Sequence, residues 1–184
     1  MTTRYKTPHM RRLDKKTDYS KRLKLVKSGL PRAAVRKSSE NITVQLIKFE
    51  EPGDKVLAAA SSKQLAAYGW KAPSGNLPAA YLTGLLAGVR AKAAGVTEAV
   101  LDAGLGKSTK GSRIYAALKG MIDAGIKIPH DPKVLPDEMR TSGAHIAAYA
   151  ANGKGFTKYG ITPAELPKHF TEIKAKIAAG SKGK

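Results

Sequence analysis

The chain of 184 residues carries 33 Lys and Arg against 14 Asp and Glu, a formal net charge of +19, and it contains no cysteine. The missing cysteines exclude disulfides, thiolate zinc sites and a cysteine nucleophile, and they fit an intracellular protein. The most apolar run, residues 79–89, falls short of the about 20 residues that a membrane helix needs. With 42% hydrophobic residues, the chain has enough apolar material for one core.

The positive charge is densest at the N-terminus, where ten of the first 27 residues are Lys or Arg and only Asp14 and Asp18 oppose them. Tyr5, His9 and Tyr19 lie among these cations, and aromatic rings stack on unpaired bases. This density predicts a polyanionic partner, nucleic acid in particular. The alternatives are a merely solvated tail or an anionic membrane surface, but the tail lacks the clear apolar face that the latter needs. We expect the tail to be disordered until it binds, because it has too little apolar area to bury.

Three strands are predicted next, over residues 32–37, 42–49 and 55–60, joined by tight turns at 38–41 and 51–54. They form an antiparallel meander. Residues 61–68 then predict a short helix that Gly69 ends.

A longer helix follows a loop rich in glycine and proline. Asn76 is placed to cap it, with Pro78 in its first turn, where a missing N–H costs nothing. Gly84 and Gly88 leave a flat stripe on this helix, and we expect the sheet to approach it there. Gly95 ends the helix, and its buried stripe is predicted to comprise Tyr81, Leu82, Leu85, Leu86 and Val89.

The rest of the chain alternates strand and helix. Residues 98–103 predict a buried parallel strand, 112–124 a helix, 126–128 a short extended piece and 142–151 another helix. A final amphipathic helix has capping-box spacing in its lead-in, residues 162–165, and is marked by Leu166, Phe170, Ile173 and Ile177. We therefore predict an α/β fold with a mixed sheet, made of the meander plus one parallel strand, and helices packed on it. The predicted divisions are a basic RNA-binding tail (1–30), an α/β core (31–150) and a helical C-terminal extension (151–184).

Catalytic patterns are weak. The four histidines show no metal-ligand spacing, and His145 is interpreted as a packing residue. Asp102 lies at a strand end, where α/β enzymes often place a carboxylate, but no second carboxylate pairs with it. The triplet Gly106-Lys107-Ser108 fits a phosphate loop, but the first glycine of that motif would fall at Leu101. We therefore predict no enzyme, no cofactor and no metal, with a nucleoside triphosphatase as the weak alternative.

Two further basic clusters suit nucleic acid. The loop with Lys107, Ser108, Thr109 and Lys110 leads into Arg113 on the first turn of a helix, where backbone N–H groups favour an anion. A solvated lysine loop is the alternative there. At the first hairpin, alternation sends Arg32 and Arg36 to one face of the strand, so that the other face is buried. The lone Trp70 is interpreted as a packing anchor, with base stacking as the alternative.

Four strings together resemble one protein family: VRKSSENIT (35–43), YGWK with GNLPAAYLTGLLAG (68–88), EAVLDAGLGKSTKGSRIYAALKGMIDAGIKIPH (98–130) and GAHIAAYA (143–150). They are similar to the archaeal branch of the L-eighteen family of large-subunit ribosomal proteins, over about residues 4–150. The resemblance implies a ribonuclease-H-like sandwich with helices on both faces of the sheet and no nuclease activity. It also implies a cytoplasmic ribosomal location, with binding to 5S rRNA, contacts to 23S rRNA in the central protuberance and a neighbour from the L-five family. The region after residue 150 is expected to pack on RNA or protein.

These arguments predict a set of RNA-contacting residues. The function they predict is a structural ribosomal protein; the alternative is a general nucleic-acid architectural protein that binds DNA and RNA alike. The resemblance assigns contacts to Arg4, Tyr5, Lys6, Arg11 and Arg12 in the tail, to Arg36, Lys37 and Ser39 at the hairpin, and to Lys107, Lys110 and Arg113. The charge pattern adds Lys15, Lys16, Lys21 and Arg22 in the tail and Arg32 at the hairpin, with Tyr19 as a stacking ring and Asn41 as a neutral donor.

Overall fold

A computed structural model describes residues 7–152 and 160–180, so the predicted contacts Arg4, Tyr5 and Lys6 lie outside the described residues. The strands are β1 (Arg32–Lys37), β2 (Ile42–Lys48), β3 (Lys55–Ser61) and β4 (Val100–Asp102). The helices are α1 (Met10–Leu13), α2 (Tyr19–Val26), α3 (Leu77–Ala93), α4 (Arg113–Asp123), α5 (Glu138–Ser142), α6 (Ala144–Ala151) and α7 (Leu166–Ala178). Short 3-10 helices occupy Ser62–Tyr68, Pro132–Val134 and Pro163–Glu165. None of the helices in this part of the chain is long and apolar enough to cross a membrane.

The four strands form one mixed sheet in the order β3-β2-β1-β4, with β4 parallel to β1 and the other pairs antiparallel. This confirms the predicted meander with one parallel strand. Ala33 lies opposite Leu46 and Val35 opposite Val44, and all four side chains are buried in the core. Because strand side chains alternate, the intervening residues face the other way. Strand β4 is shorter than predicted, since Glu98 instead forms a single parallel bridge with Lys127.

Helices α3 and α4 cross at glycines. Asn76 caps α3 as predicted, its Oδ1 accepting the Ala79 N–H at 2.8 Å. A Cβ on Gly84 would overlap the Ala117 backbone of α4, and one on Gly120 would lie 2.7 Å from the Leu85 nitrogen of α3. The prediction that the sheet approaches the glycines of α3 is wrong, because the close neighbour of this stripe is another helix.

The final helix, α7, belongs to the same core. Its residues Leu166, Phe170, Ile173 and Ile177 are buried, and the ring of Phe170 lies 5.4 Å from that of Tyr81 on α3. The expectation that its apolar face covers RNA or another protein is therefore corrected.

Trp70 and the 3-10 turn before it also pack against α7. Trp70 is 6% exposed and stacks on His169 at 5.2 Å, which confirms it as a packing anchor. The His169 Nε2 accepts the Lys71 backbone N–H at 3.3 Å. Burial lowers the pKa of His169 below its ordinary value, which keeps the ring neutral and able to accept this bond.

Two local expectations also change. The helix predicted over residues 142–151 is two helices, because Gly143 between them has a φ of +86°, which helical residues do not adopt. Thr162 makes no side-chain capping bond, and α7 begins after a 3-10 turn, with Pro167 in its first turn.

Candidate nucleic-acid interface

The N-terminal arm, defined here as residues 10–26, is folded onto the sheet. It forms α1 and α2, and Asp18 caps α2 by accepting the backbone N–H groups of Ser20 and Lys21, each at 3.1 Å. The structure therefore differs from the disorder expected of the tail. No residue of α1 or α2 is buried, so the difference arises from polar contacts, namely the Asp18 cap and the ion pair of Arg22 with Asp54.

A groove of about 740 Å³ opens between the arm and the face of the sheet opposite the core. Its floor includes Ala34, Gln45, Ile47 and Leu101. Seven cationic side chains line it against three carboxylates, so the groove is net positive and suited to a polyanion. The cations are Arg11, Lys16, Lys21, Arg22, Lys24, Arg32 and Arg36, and the carboxylates are Asp18, Asp54 and Asp102.

Ion pairs connect three of the groove's arginines, one on the arm and two on the sheet. Asp54 Oδ2 accepts from Arg22 at 2.7 Å and from Arg32 at 2.6 Å. Asp102 Oδ2 accepts from Arg32 at 3.3 Å and from Arg36 at 3.1 Å. Asp102 thus forms ion pairs with two arginines at the strand end. The three arginines exceed the two carboxylates by one charge.

The two arginines of β1 differ in accessibility. The side chain of Arg32 is 6% exposed, whereas that of Arg36 is 51% exposed. Arg36 also donates to the Asp102 carbonyl at 2.7 Å and lies against Gly104, where a Cβ would meet the guanidinium carbon at 2.9 Å. The guanidinium of Arg36 is therefore fixed by Asp102 and still accessible to solvent. The contact predicted for Arg32 stays a prediction, and in this structure its side chain spans Asp54 and Asp102.

The arm also reaches the loop after β4. Arg12, Lys15 and Tyr19 line a smaller pocket together with Leu105, and the ring of Tyr19 lies 4.8 Å from that of His9. Lys107 and Lys110 are exposed in this loop, and the hydroxyl of Ser108 pairs with that of Tyr115. The predicted tail and loop cations thus lie on adjoining surfaces.

The hairpin residues form a separate cluster at the start of α4. Arg113 donates to the carbonyls of Ser39 at 3.2 Å and Gly75 at 2.7 Å, which ties the hairpin to the loop before α3. Asn41 accepts from Ser74 at 3.3 Å. Lys37 and Ser39 are exposed beside them. Arg113 and Asn41 are therefore partly engaged by the protein itself.

Sequence reasoning missed Lys24 and Gln45, both of which line the groove. Lys24 lies three residues after Lys21, a spacing that places both on one helix face, so this signal was present. Gln45 has no such signal. Its place on the outer face follows from its register opposite Ala34.

The phosphate-loop alternative finds no support in residues 7–152 and 160–180. Leu101 lies within β4, where a phosphate loop needs its first glycine, and Lys107 precedes α4 by a further loop. No group of three His, Asp or Glu side chains in this part of the chain converges to hold a metal ion.

Comparison with known proteins shows which family the chain belongs to. A sequence model of "Ribosomal large subunit proteins 60S L5, and 50S L18" matches residues 3–94 and 89–131. The large ribosomal subunit protein uL18 of Haloarcula marismortui is 51% identical over 178 residues, covering 96% of this chain and 95% of that protein. Those of Korarchaeum cryptofilum and Methanococcus maripaludis are 50% and 48% identical, and each match covers at least 96% of both chains. The chain belongs to the family of large-subunit ribosomal proteins that comprises 60S L5 and 50S L18.

Proposed function

We propose that this protein is a structural constituent of the large ribosomal subunit that binds 5S rRNA and helps to attach it to 23S rRNA in the central protuberance. The observation that carries the proposal is the similarity to archaeal uL18 proteins, about half identical over nearly the whole chain. The proposed role is binding, without catalysis or a cofactor.

The proposed mechanism is neutralisation of phosphates by a surface that the fold holds in shape. Lys and Arg displace condensed counterions from RNA, and this release supplies affinity that depends strongly on salt. The exposed Arg36, the arm cations and the loop lysines Lys107 and Lys110 supply the charge. Tyr19 and the more N-terminal Tyr5 supply rings for unpaired bases.

Three finer points belong to the same proposal. The fold is a ribonuclease-H-like sandwich, supported by the mixed sheet with α3 and α4 on one face and the arm on the other. A protein of the L-five family is a neighbour in the particle. The chain divides into an RNA-binding tail (1–30), a core (31–150) and an extension (151–184) whose helix α7 completes the core.

The test is binding of the full chain to 5S rRNA with tRNA as competitor, across a salt series. We expect a clear preference for 5S rRNA. Replacing Arg11, Arg12, Lys15 and Lys16 by Gln should lower the slope of log affinity against log salt by about 0.7 for each phosphate that the variant no longer neutralises, about 2.8 if all four side chains touch phosphate. The matched control replaces four exposed lysines outside the groove, namely Lys63, Lys92, Lys133 and Lys168.

Equal competition by tRNA would refute 5S specificity in the isolated protein and favour the general nucleic-acid binder. If the control variant lowered the slope as much as the arm variant, the arm would not be the phosphate-binding surface.

A further inference from the structure

The arm and the sheet are joined through one carboxylate. Asp54 lies in the turn between β2 and β3, and a single oxygen, Oδ2, accepts from Arg22 of α2 and from Arg32 of β1. The side chain of Asp54 is 25% exposed, that of Arg22 34% and that of Arg32 only 6%. This contact of Arg22, Asp54 and Arg32, called the joint below, is therefore buried at Arg32 and accessible to solvent at Arg22.

The ion pairs continue beyond this joint. Arg32 also pairs with Asp102, which holds Arg36, so a chain of charge contacts runs from the arm to the half-exposed Arg36. Arg22 and Arg36 line the same groove. The position of the arm's cations relative to those of the sheet therefore depends on Asp54.

We propose that Asp54 is a positioning residue for RNA binding: it docks the N-terminal arm on the sheet before RNA arrives, so that the two walls of the groove meet the phosphates as one preformed surface. The inference rests on the proposed RNA-binding function. An acidic residue in a basic surface would be expected to repel RNA. In this proposal Asp54 instead favours RNA binding, because it holds the arm in place.

The physical reason lies in the entropy of ordering. An undocked arm must be ordered when RNA binds, and that cost reduces the affinity. The apparent Kd equals the intrinsic Kd divided by the fraction of molecules in the competent state. If loss of the joint lowers that fraction to about one fifth, the apparent affinity falls about fivefold.

The decisive variant is Asp54→Asn, which keeps the size of the side chain and raises the net charge by one. Its matched control is Glu51→Gln, which makes the same charge change at an exposed position in the same turn. We expect D54N to bind 5S rRNA about fivefold more weakly than the wild type, and E51Q to bind equally or up to about twofold more tightly, because surface charges are screened.

Hydrogen exchange without RNA tests the docking itself. In D54N, the amides of α2 should lose protection while those of β2 and α3 keep theirs. The second variant, Arg22→Gln, leaves Asp54 paired with the buried Arg32, so it should free the arm without disturbing the sheet, even if D54N loosens the fold.

Affinity of D54N equal to or above that of E51Q would overturn the proposal and indicate that Asp54 competes with phosphate for Arg22. Unchanged protection of α2 in both D54N and R22Q would overturn it as well. The exchange result does not involve RNA, and the sign of the D54N effect is measurable on any RNA that the protein binds. A failure of 5S specificity is therefore distinguishable from a failure of the joint.

Discussion

The crossing of α3 and α4 leaves no room for a side chain, and Gly84→Ala tests this. A Cβ there would lie 2.7 Å from the Cα of Ala117 and overlap its carbonyl group, against an ordinary contact of 3.4–4 Å. The helices would have to separate by more than about 1 Å, because the carbonyl oxygen of Ala117 lies closest to that Cβ, and a gap of about 1 Å already forfeits about half of the dispersion attraction across it. Overpacking of this kind lowers the free energy of unfolding by about 3 kcal/mol, and the higher helix propensity of Ala raises it by about 1 kcal/mol.

We therefore expect G84A to lower the free energy of unfolding by about 2 kcal/mol and Tm by about 4–8 °C. Urea unfolding followed by far-UV circular dichroism and by Trp70 fluorescence measures the first, and a thermal scan the second. The sign is decisive, because an unpacked helix would gain stability from Gly→Ala. Wild-type or higher stability of G84A would refute the close crossing.

Three other predictions concern charge and pH. The double variant K107Q/K110Q should lower the salt slope of RNA binding by about 1.4 and leave Tm unchanged, since both lysines are exposed; an unchanged slope would remove the loop from the interface. Arg32→Gln should lower the free energy of unfolding by about 3 kcal/mol, because it removes the buried cation that pairs with Asp54 and Asp102. A urea midpoint near that of the wild type would contradict this. Burial lowers the pKa of His169, so the unfolded chain takes up the proton first and stability should fall as pH drops below about 6.5. His169→Gln should flatten that part of the stability–pH curve, and a parallel curve would exclude His169 as its source.

The strands and helix starts were readable from local chemistry. The alternation in residues 42–48 separates buried side chains from partly exposed ones, and this pattern depends only on the strand's own geometry, whereas residues 32–35 are buried on both faces. Asn76 and Pro78 mark the start of α3 for equally local reasons. These elements therefore agree with the structure to within a residue or two.

Partners distant in the chain were not readable. The glycines of α3 indicate that something approaches closely, but a helix and a sheet leave the same mark on the sequence. The apolar stripe of α7 likewise indicates that this face is buried, but it does not indicate which surface packs against it. The pair between Arg22 and Asp54 joins residues 32 positions apart, and only the topology of the sheet brings them together. The cations of the site could thus be counted from the sequence, while the carboxylate that arranges them could not be identified.

The place of α7 in the core has a consequence for the order of synthesis. Lys71 and its partner His169 are 98 residues apart, and α7 covers Trp70 and Tyr81 as well. At translation rates of about 5–20 residues per second, roughly 5–20 seconds pass between the emergence of these residues and the arrival of their cover. During that interval the nascent chain shows an open apolar surface together with a strongly cationic leading end. A newly made molecule therefore passes through a stage in which apolar surface that α7 later covers is still open, and transiently exposed surface of this kind favours aggregation.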